Sequence, residues 1–279
     1  MLEIVFDLGS FENVEIVPIA DVHIGNPNCH EAELKRIIDY ILEEPSDPKM
    51  ARICLLNGDL TESATKTNRN GNVFEQTMTP SVQVATMIKY LLPLTETSKK
   101  YPMGKILSYC AGNHDGDRYK ETGISAAESI AVGLGLQDRF SENGCYSFVR
   151  VKKVYSNTEP TFFTVYNQHM TGGASTVGGK ANRIQKISSA VYADLIVGSH
   201  VHLPMTFKED FILPNLSNQN HTLEQKTITY VITGSLLGYG DYAQKMGLRP
   251  STITFPKIFL CQEKHGAKGK RIKHIEVLL

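Results

Sequence analysis

Five short apolar runs recur along the first two thirds of the chain, and each stops abruptly at polar residues. They cover residues 14–20, 53–56, 106–111, 162–166 and 195–197. A half-buried strand alternates apolar and polar side chains, whereas these runs are almost continuously apolar. They therefore predict strands that are buried on both faces of a sheet.

Helical patterns lie between the predicted strands. Apolar residues recur at helical spacing over residues 34–42, and Pro45 ends that segment. Thr79 and Pro80 have the form of an N-cap followed by proline at the first helical position. Residues 125–128, Ser-Ala-Ala-Glu, have the form of a capping box. The sequence therefore predicts three helices.

The last part of the chain predicts further strands. They cover residues 227–233, 251–261 and 271–279, with a Gly/Lys turn at 266–269 between the last two. The sequence contains no internal repeat and no Pro/Ser-rich linker, so we expect a single domain over residues 1–279. Strands mixed with helices indicate the α/β class, with helices covering a strand-built centre.

Composition narrows the class of protein. The chain has 279 residues, of which 41% are hydrophobic and 21% charged, which excludes global disorder and fibrous folds. Its 29 basic residues balance its 29 acidic ones, so no overall positive field attracts nucleic acid or an anionic membrane, and only a local basic patch remains open. No apolar run is long enough to span a bilayer, so we expect no membrane partner. The five scattered cysteines include no Cys-x-x-Cys pair, which favours a cytoplasmic protein without disulfides.

Five predicted strand ends carry residue types that ligate metals. Functional groups collect beyond the carboxyl ends of strands in α/β sheets, so we expect these segments to converge. Asp59 is suited to bridge two cations through its two carboxylate oxygens, and Asn113 offers a neutral carbonyl oxygen. Imidazole, carboxylate and amide ligands without a thiolate favour Mn, Fe or Zn. The segments are Asp21-x-His23, Gly58-Asp59, Gly112-Asn113-His114-Asp115, Gln168-His169 and Gly198-Ser199-His200-x-His202.

Asp-x-His, Gly-Asp and the lone His are each weak signals and the other two segments are moderately specific, but the ordered set resembles the calcineurin-like metallophosphoesterase superfamily. That family's signature is Asp-x-His, Gly-Asp, Gly-Asn-His-Asp/Glu, a lone His, and Gly-His-x-His. The resemblance spans residues 21–202, with supporting matches at Gly25, Glu62 and Pro204. Ser199 departs from the pattern, because the family usually has Gly directly before the first His of the last motif. The resemblance implies two packed mixed β-sheets flanked by helices, with the C-terminal strands completing the second sheet.

The resemblance also implies a role for each matched residue. Two divalent cations, Mn²⁺ foremost with Fe or Zn as alternatives, would activate water for hydrolysis of a phosphate ester. His114 would stay off the metals and act on the leaving group, while Asp115 either orients the His114 ring or caps the following helix. One cation would be bound by Asp21, His23 and His202, the other by Asn113, His169 and His200, and Asp59 would bridge them.

The sequence indicates the residues that contact the substrate less clearly than it indicates the metal ligands. The glycine-rich stretch at residues 170–183 does not fit a P-loop, because Ala181 follows Lys180 where Ser or Thr is required. It predicts a flexible loop at the mouth of the site that contributes Lys180 or Arg183 to phosphate binding. Three more side chains are candidates, each with an ordinary surface or connecting role as its alternative. They are Arg118 for phosphate, and Tyr239 and Tyr242 for stacking on a base or nucleoside.

We expect a phosphodiesterase or nuclease that acts on nucleic acid or nucleotides. The alternatives are a phosphomonoesterase acting on nucleotides or phosphoproteins, and a non-catalytic metal-binding scaffold. Residues 58–64, Gly-Asp-Leu-Thr-Glu-Ser-Ala, lack the Gly-Asp-x-x-Asp-Arg-Gly stretch of Ser/Thr protein phosphatases. The basic residues between 264 and 274 predict either a hairpin with solvated lysines or a surface along a nucleic-acid backbone.

Overall fold

The structure, a computed structural model, describes residues 1–65, 74–152, 160–215, 222–240, 253–265 and 270–279. Within these residues it contains twelve strands and five α-helices. The strands are β1 Leu2–Leu8, β2 Asn13–Ile19, β3 Met50–Asn57, β4 Ile106–Cys110, β5 Phe140–Ser141, β6 Cys145–Val151, β7 Thr161–His169, β8 Leu195–Ser199, β9 Met205–Asn215, β10 Thr222–Ile232, β11 Lys257–His265 and β12 Lys270–Leu278. The helices are α1 Glu31–Leu42, α2 Pro80–Leu91, α3 Asn113–Thr122, α4 Ala126–Gly133 and α5 Val177–Gln185.

The strands form two mixed six-stranded sheets, as expected from the resemblance. The first sheet has the order β1-β6-β7-β8-β10-β9, and the second has the order β12-β11-β2-β3-β4-β5. In the second sheet β2, β3 and β4 are parallel neighbours, and in the first sheet β7 is parallel to β8. The C-terminal hairpin of β11 and β12 extends the second sheet, whereas β10 belongs to the first.

The apolar runs are continuous because both faces of the strands are covered. In β3, Ile53 and Leu55 belong to the core between the two sheets, while Cys54 and Leu56 pack with the helices outside. All four side chains are fully buried. Helices α1, α2 and α4 cover the second sheet, and α5 covers part of the first. The prediction of doubly buried strands is therefore confirmed for β2, β3, β4 and β8, whereas it was wrong for the start of β7, where Phe162 is 40% exposed.

The three predicted helices are present as α1, α2 and α4. Pro80 is the first residue of α2, and the Ser125 hydroxyl accepts a hydrogen bond from the Glu128 amide at 3.2 Å at the start of α4. The prediction of a loop throughout residues 170–183 was wrong, because helix α5 begins at Val177. The hydroxyl of Thr176 caps it by accepting from the Gly179 amide at 3.1 Å, and its Ile184 is buried.

Candidate metal centre

Hydrogen bonds continue beyond the last residues of the strands and hold the motif segments together. The Asp21 amide donates to the Gly58 carbonyl at 3.0 Å, and the His23 amide donates to the Asp59 carbonyl at 3.0 Å. The side-chain amide of Asn57 donates across the sheets to the Gln168 carbonyl at 3.1 Å. The five motif segments therefore meet at one edge of the two sheets, as predicted.

The backbone of the site is strained at the predicted ligands. Six non-glycine residues have positive φ in the part of the chain that the structure describes, and five of them are predicted ligands. Their φ angles lie between 48° and 84°, in the left-handed region that costs free energy for residues with a Cβ. Such strain persists where it aims side chains at a functional site. The five are Asp21, His23, Asp59, His200 and His202.

Two glycines allow the strand ends to approach. Gly58 has a φ of +83°, and a Cβ at this position would lie 2.6 Å from His169 Nδ1. A Cβ on Gly112 would lie 2.0 Å from Asp59 Oδ1 and 2.2 Å from the Asp59 amide nitrogen. Neither position has room for a side chain. The Gly-Asp and Gly-Asn-His motifs thus depend on each other.

The first cluster of ligand atoms consists of Asp21, His23 and His202, which all lie within 4.8 Å of one another. Asp21 is fully buried, and its Oδ2 accepts from the His200 amide at 3.0 Å while its Oδ1 lies 3.2 Å from His202 Nε2. The His23 Nδ1 lies 3.0 Å from Glu62 Oε2, which leaves Nε2 facing the cluster. These are the three residues that the resemblance assigns to one cation.

The second cluster consists of Asp59, His169 and His200. Asp59 Oδ2 lies 3.2 Å from His169 Nε2 and 3.9 Å from His23 Nε2, so this carboxylate lies between the two clusters. The side-chain end of Asn113 joins the second cluster at 3.0 Å from His169 Nε2 and 2.8 Å from His200 Nδ1. The sequence-predicted ligands of the other cation are thus brought together around Asp59.

His114 lies beside both clusters. Its ring makes an edge-on contact with the His23 ring at a centroid distance of 4.6 Å, and its amide donates to Asp59 Oδ1 at 3.0 Å. The His114 Nδ1 lies 2.8 Å from the Glu62 carbonyl, which can only accept, so Nδ1 carries a proton and Nε2 is the free end. Glu62 therefore orients two rings, His23 through its carboxylate and His114 through its carbonyl.

Asp115 caps the helix instead of orienting His114. Its Oδ2 accepts from the Gly112 amide at 2.9 Å, and its Oδ1 accepts from the Thr61 hydroxyl at 3.2 Å. Of the two roles left open by the sequence, the contacts are those of the helix cap. The predicted catalytic role of Asp115 through the His114 ring is not supported, because the Glu62 carbonyl occupies the ring nitrogen that Asp115 would hold.

The buried charges of the site perturb one another. Burial opposes ionisation of Asp59, yet the imidazoles of His169 and His114 outweigh it and hold the pKa of Asp59 well below its ordinary value. Burial likewise lowers the pKa of His169, but the Asp59 carboxylate outweighs it and raises this pKa to about 10. Burial and the neighbouring His169 lower the pKa of His200 to about 4. Asp59 is thus a carboxylate and His200 a neutral imidazole at neutral pH, which are the forms that bind cations, whereas the His169 ring is protonated and would release its Nε2 proton when a cation binds.

The side chains fit a pair of divalent cations. His23 Nε2 is buried and makes no hydrogen bond with the described residues, although it points into the first cluster. The end of the Asn113 side chain lies 2.8–3.2 Å from His200 Nδ1, His169 Nε2 and Asp59 Oδ2, three atoms of residue types that bind cations. The donor set of imidazole, carboxylate and amide oxygen suits Mn, Fe or Zn.

The two basic residues predicted to contact a substrate phosphate both donate hydrogen bonds to backbone carbonyls. Lys180, on α5, donates from Nζ to the Val201 carbonyl at 2.7 Å, between two ligand histidines. The Arg183 guanidinium donates to the carbonyls of Thr171 and Gly173, so it braces the loop before α5, which does not favour the predicted phosphate contact.

Tyr239 is 43% exposed in a segment that pairs with the loop after His23, where the Gly238 amide donates to the Asn28 carbonyl at 2.8 Å. Tyr239 thus lies on the surface close to the loop that carries His23. The side chain of Arg118 and the whole of Tyr242 lie outside the described residues.

Two residues that orient the ligands were not recognised from the sequence. Glu62 was noted only as an acidic residue at a matching position, without its contacts to His23 and His114. Asn57 carries a backbone carbonyl 2.9 Å from His169 Nδ1. A polar residue at the buried end of an apolar strand, directly before Gly-Asp, is the signal that would have found it.

Comparison with known proteins gives distant structural similarity. No family model and no curated protein matches the sequence. The chain resembles the calcineurin-like phosphoesterase YfkN from Bacillus subtilis, with 13% identity over 95% of this chain and 90% of that one and a TM-score of 0.39.

It also resembles a metallophosphoesterase from Sphaerobacter thermophilus, with 11% identity over 95% and 88% of the two chains and a TM-score of 0.33. A third similar structure is a conserved uncharacterized protein from Streptococcus pneumoniae, described as a predicted phosphoesterase. It is 9% identical over 94% and 98% of the two chains, with a TM-score of 0.36. All three structures are described as phosphoesterases.

In the described residues, no helix is both long and apolar enough to cross a membrane.

Proposed function

We propose that this chain hydrolyses phosphate esters with a pair of divalent cations. The observation that carries the proposal is the position of Asp59, whose carboxylate lies between two clusters of buried imidazole and carboxylate ligands. Two cations held there would polarise a phosphoryl oxygen and lower the pKa of a bound water toward neutrality. We propose manganese as the native metal, with iron or zinc as the alternatives.

The protein side chains have separate tasks in this reaction. Asp21, His23 and His202 would hold one cation, Asn113, His169 and His200 would hold the other, and Asp59 would be a ligand of both. His114 protonates the departing alkoxide as an imidazolium: the ring gives up its Nε2 proton and keeps its Nδ1 proton, which is committed to the Glu62 carbonyl. The amide of His114 donates to Asp59 Oδ1 and fixes the backbone of His114 beside this carboxylate, while the Glu62 carbonyl orients the ring.

We propose a phosphodiester as the substrate, in nucleic acid or in a nucleotide. A monoester is a dianion at neutral pH and requires more positive charge than a diester, which is a monoanion. Among the described side chains, no Arg or Lys bonds to a side chain of the two clusters, and Lys180 reaches only the Val201 carbonyl. Where protein phosphatases carry Arg-Gly, this chain has Ser63 and Ala64, which are buried.

Tyr239 is the candidate for stacking on a base, because it is the exposed aromatic side chain of the segment beside the loop that carries His23. We place the activity in the cytoplasm because the five cysteines are all free thiols, and three of them are buried.

The test compares two chromogenic substrates in the presence of Mn²⁺. Purified protein should hydrolyse bis-p-nitrophenyl phosphate in preference to p-nitrophenyl phosphate, and Asp59→Asn should abolish the activity. Preference for the monoester would replace the diester proposal with a phosphomonoesterase. Inactivity on both substrates with no bound metal would refute hydrolysis and favour a scaffold.

A further inference from the structure

The inward-facing positions of three strands change from apolar to polar at the last position before the site. In β3 the buried Leu55 is followed two residues later by Asn57, and in β7 Val165 is followed by Asn167. In β8, Val197 is followed by Ser199. Successive residues of a strand alternate faces, so each pair lies on the same face of its sheet. All three polar side chains have no exposed surface.

These side chains form one hydrogen-bond network between the two sheets. The Asn57 amide nitrogen donates to Ser199 Oγ at 3.0 Å, and the Asn167 amide nitrogen donates to Asn57 Oδ1 at 3.0 Å. The Ser108 hydroxyl, from β4, donates to Asn167 Oδ1 at 2.7 Å. Burying so many polar groups is tolerable only when each has a partner, so the network fixes the relative position of both sheets at this edge.

The network ends on His169. Ser199 Oγ lies 2.9 Å from His169 Nδ1, and the Asn57 carbonyl also lies 2.9 Å from that nitrogen. Ser199 already donates its own proton to the Asn57 carbonyl, at 2.5 Å. The carbonyl can only accept, so the proton between it and the imidazole must belong to Nδ1. Nε2 of His169 is then the nitrogen that faces Asp59 and Asn113, and it is the one whose proton a bound cation would replace.

We propose that Ser199 is a positioning residue that holds the His169 ring and keeps its Nε2 directed at the second cation. Its hydroxyl is the one group of the network that contacts both the ring and the Asn57 side chain. The proposal rests on the proposed function, because it assigns Nε2 of His169 to a bound metal. It gives a role to the position at which this sequence departs from the family pattern.

The experiment compares Zn²⁺ binding by the wild type, Ser199→Ala and Ser147→Ala. Ser147 is a matched control, since it is fully buried on β6 and its hydroxyl makes no hydrogen bond with the described residues. Isothermal titration measures the two Zn²⁺ affinities of each protein. Nitrogen-15 spectra of the Zn²⁺-loaded proteins, labelled in histidine, report how fast the Nδ1 proton of His169 exchanges with water. Ser199→Gly, which removes the hydroxyl and adds neither volume nor a metal ligand, replaces Ser199→Ala if that variant does not fold.

We expect Ser199→Ala to weaken one of the two Zn²⁺ sites by about tenfold or more, as loss of a partner of a ligand histidine typically does. The other site should be unchanged, and exchange of the His169 Nδ1 proton should be faster. Ser147→Ala should match the wild type in both measurements. Equal weakening of both sites, or wild-type affinities with an unchanged Nδ1 proton, would overturn the role of Ser199. A wild type that binds no Zn²⁺ would instead overturn the proposed function.

Discussion

Substitution of Gly112 by alanine tests whether close approach of two motif segments builds the site. The φ of Gly112 is −100° and its ψ is 177°, an extended conformation that alanine adopts without strain. The only cost is therefore the new methyl group, which would lie 2.0 Å from Asp59 Oδ1 and 2.2 Å from the Asp59 amide nitrogen. Ordinary contacts of a carbon atom are about 3.5 Å, so Asp59 and Gly112 must separate by roughly 1.5 Å.

The consequence for metal binding follows from this displacement. Ligand distances in a metal site are held to about 0.2 Å, so a shift of Asp59 by more than 1 Å removes it from one or both cations. We expect Gly112→Ala to lose Mn²⁺ on dialysis and to have no measurable phosphodiesterase activity. Its free energy of unfolding in EDTA should fall by about 1–3 kcal/mol, the usual cost of overpacking.

The control is the same substitution at Gly178. A Cβ there would meet nothing within 4 Å, and the residue lies in helix α5. Gly178→Ala should keep both metals and be neutral or more stable by up to about 1 kcal/mol. Metal content is measured by elemental analysis, and stability by urea unfolding in EDTA. If Gly112→Ala retained two metals per chain, the contact between Gly112 and Asp59 would not be required for the site.

Substitutions at three further residues separate the roles of neighbouring side chains. His114→Ala should keep both metals while turnover falls by about 10²–10⁴-fold, and wild-type turnover would exclude proton donation by His114. Glu62→Ala should weaken Mn²⁺ binding by about 10–100-fold, whereas Glu62→Gln, which can still accept from His23, should stay closer to the wild type. In metal-free protein, burial and the Asp59 charge raise the pKa of Asp115 from 3.8 to about 7. The folded state thus holds a proton that the unfolded state releases over this pH range. As the pH rises from 4 to 8, the free energy of unfolding of the wild type should fall by up to about 4 kcal/mol relative to that of Asp115→Asn. Urea unfolding in EDTA at several pH values measures this difference, and parallel pH profiles of the two proteins would contradict it.

The ligand positions could be predicted because two independent signals coincide in the sequence. Doubly buried strands appear as apolar runs, and metal-binding residue types stand directly after them, as at Asp21 and Asp59. The five strand ends are brought to one edge by parallel pairing, which the alternation of strands and helices favours. These predictions required no knowledge of side-chain direction.

Other features depend on packing that the sequence does not encode locally. Strands β1 and β9 have exposed positions along their length, so they lack the apolar runs that identified the other strands. Helix α5 was missed because its glycines are typical of a loop. The helix is stabilised by the buried Ile184, which packs against residues of the first sheet that are distant in the sequence. Whether Asp115 caps the helix or orients His114 depends on which group forms a hydrogen bond with the ring of His114. That group is the Glu62 carbonyl, whose place follows from the turn after Asp59.

The most direct test of the two-cation site is anomalous diffraction from crystals of the wild type grown with Mn²⁺. We expect two anomalous peaks per chain. One should lie among Asp21, His23 and His202, the other among Asn113, His169 and His200, with Asp59 in contact with both. A single peak, or peaks away from Asp59, would contradict a dinuclear site at this edge of the sheets.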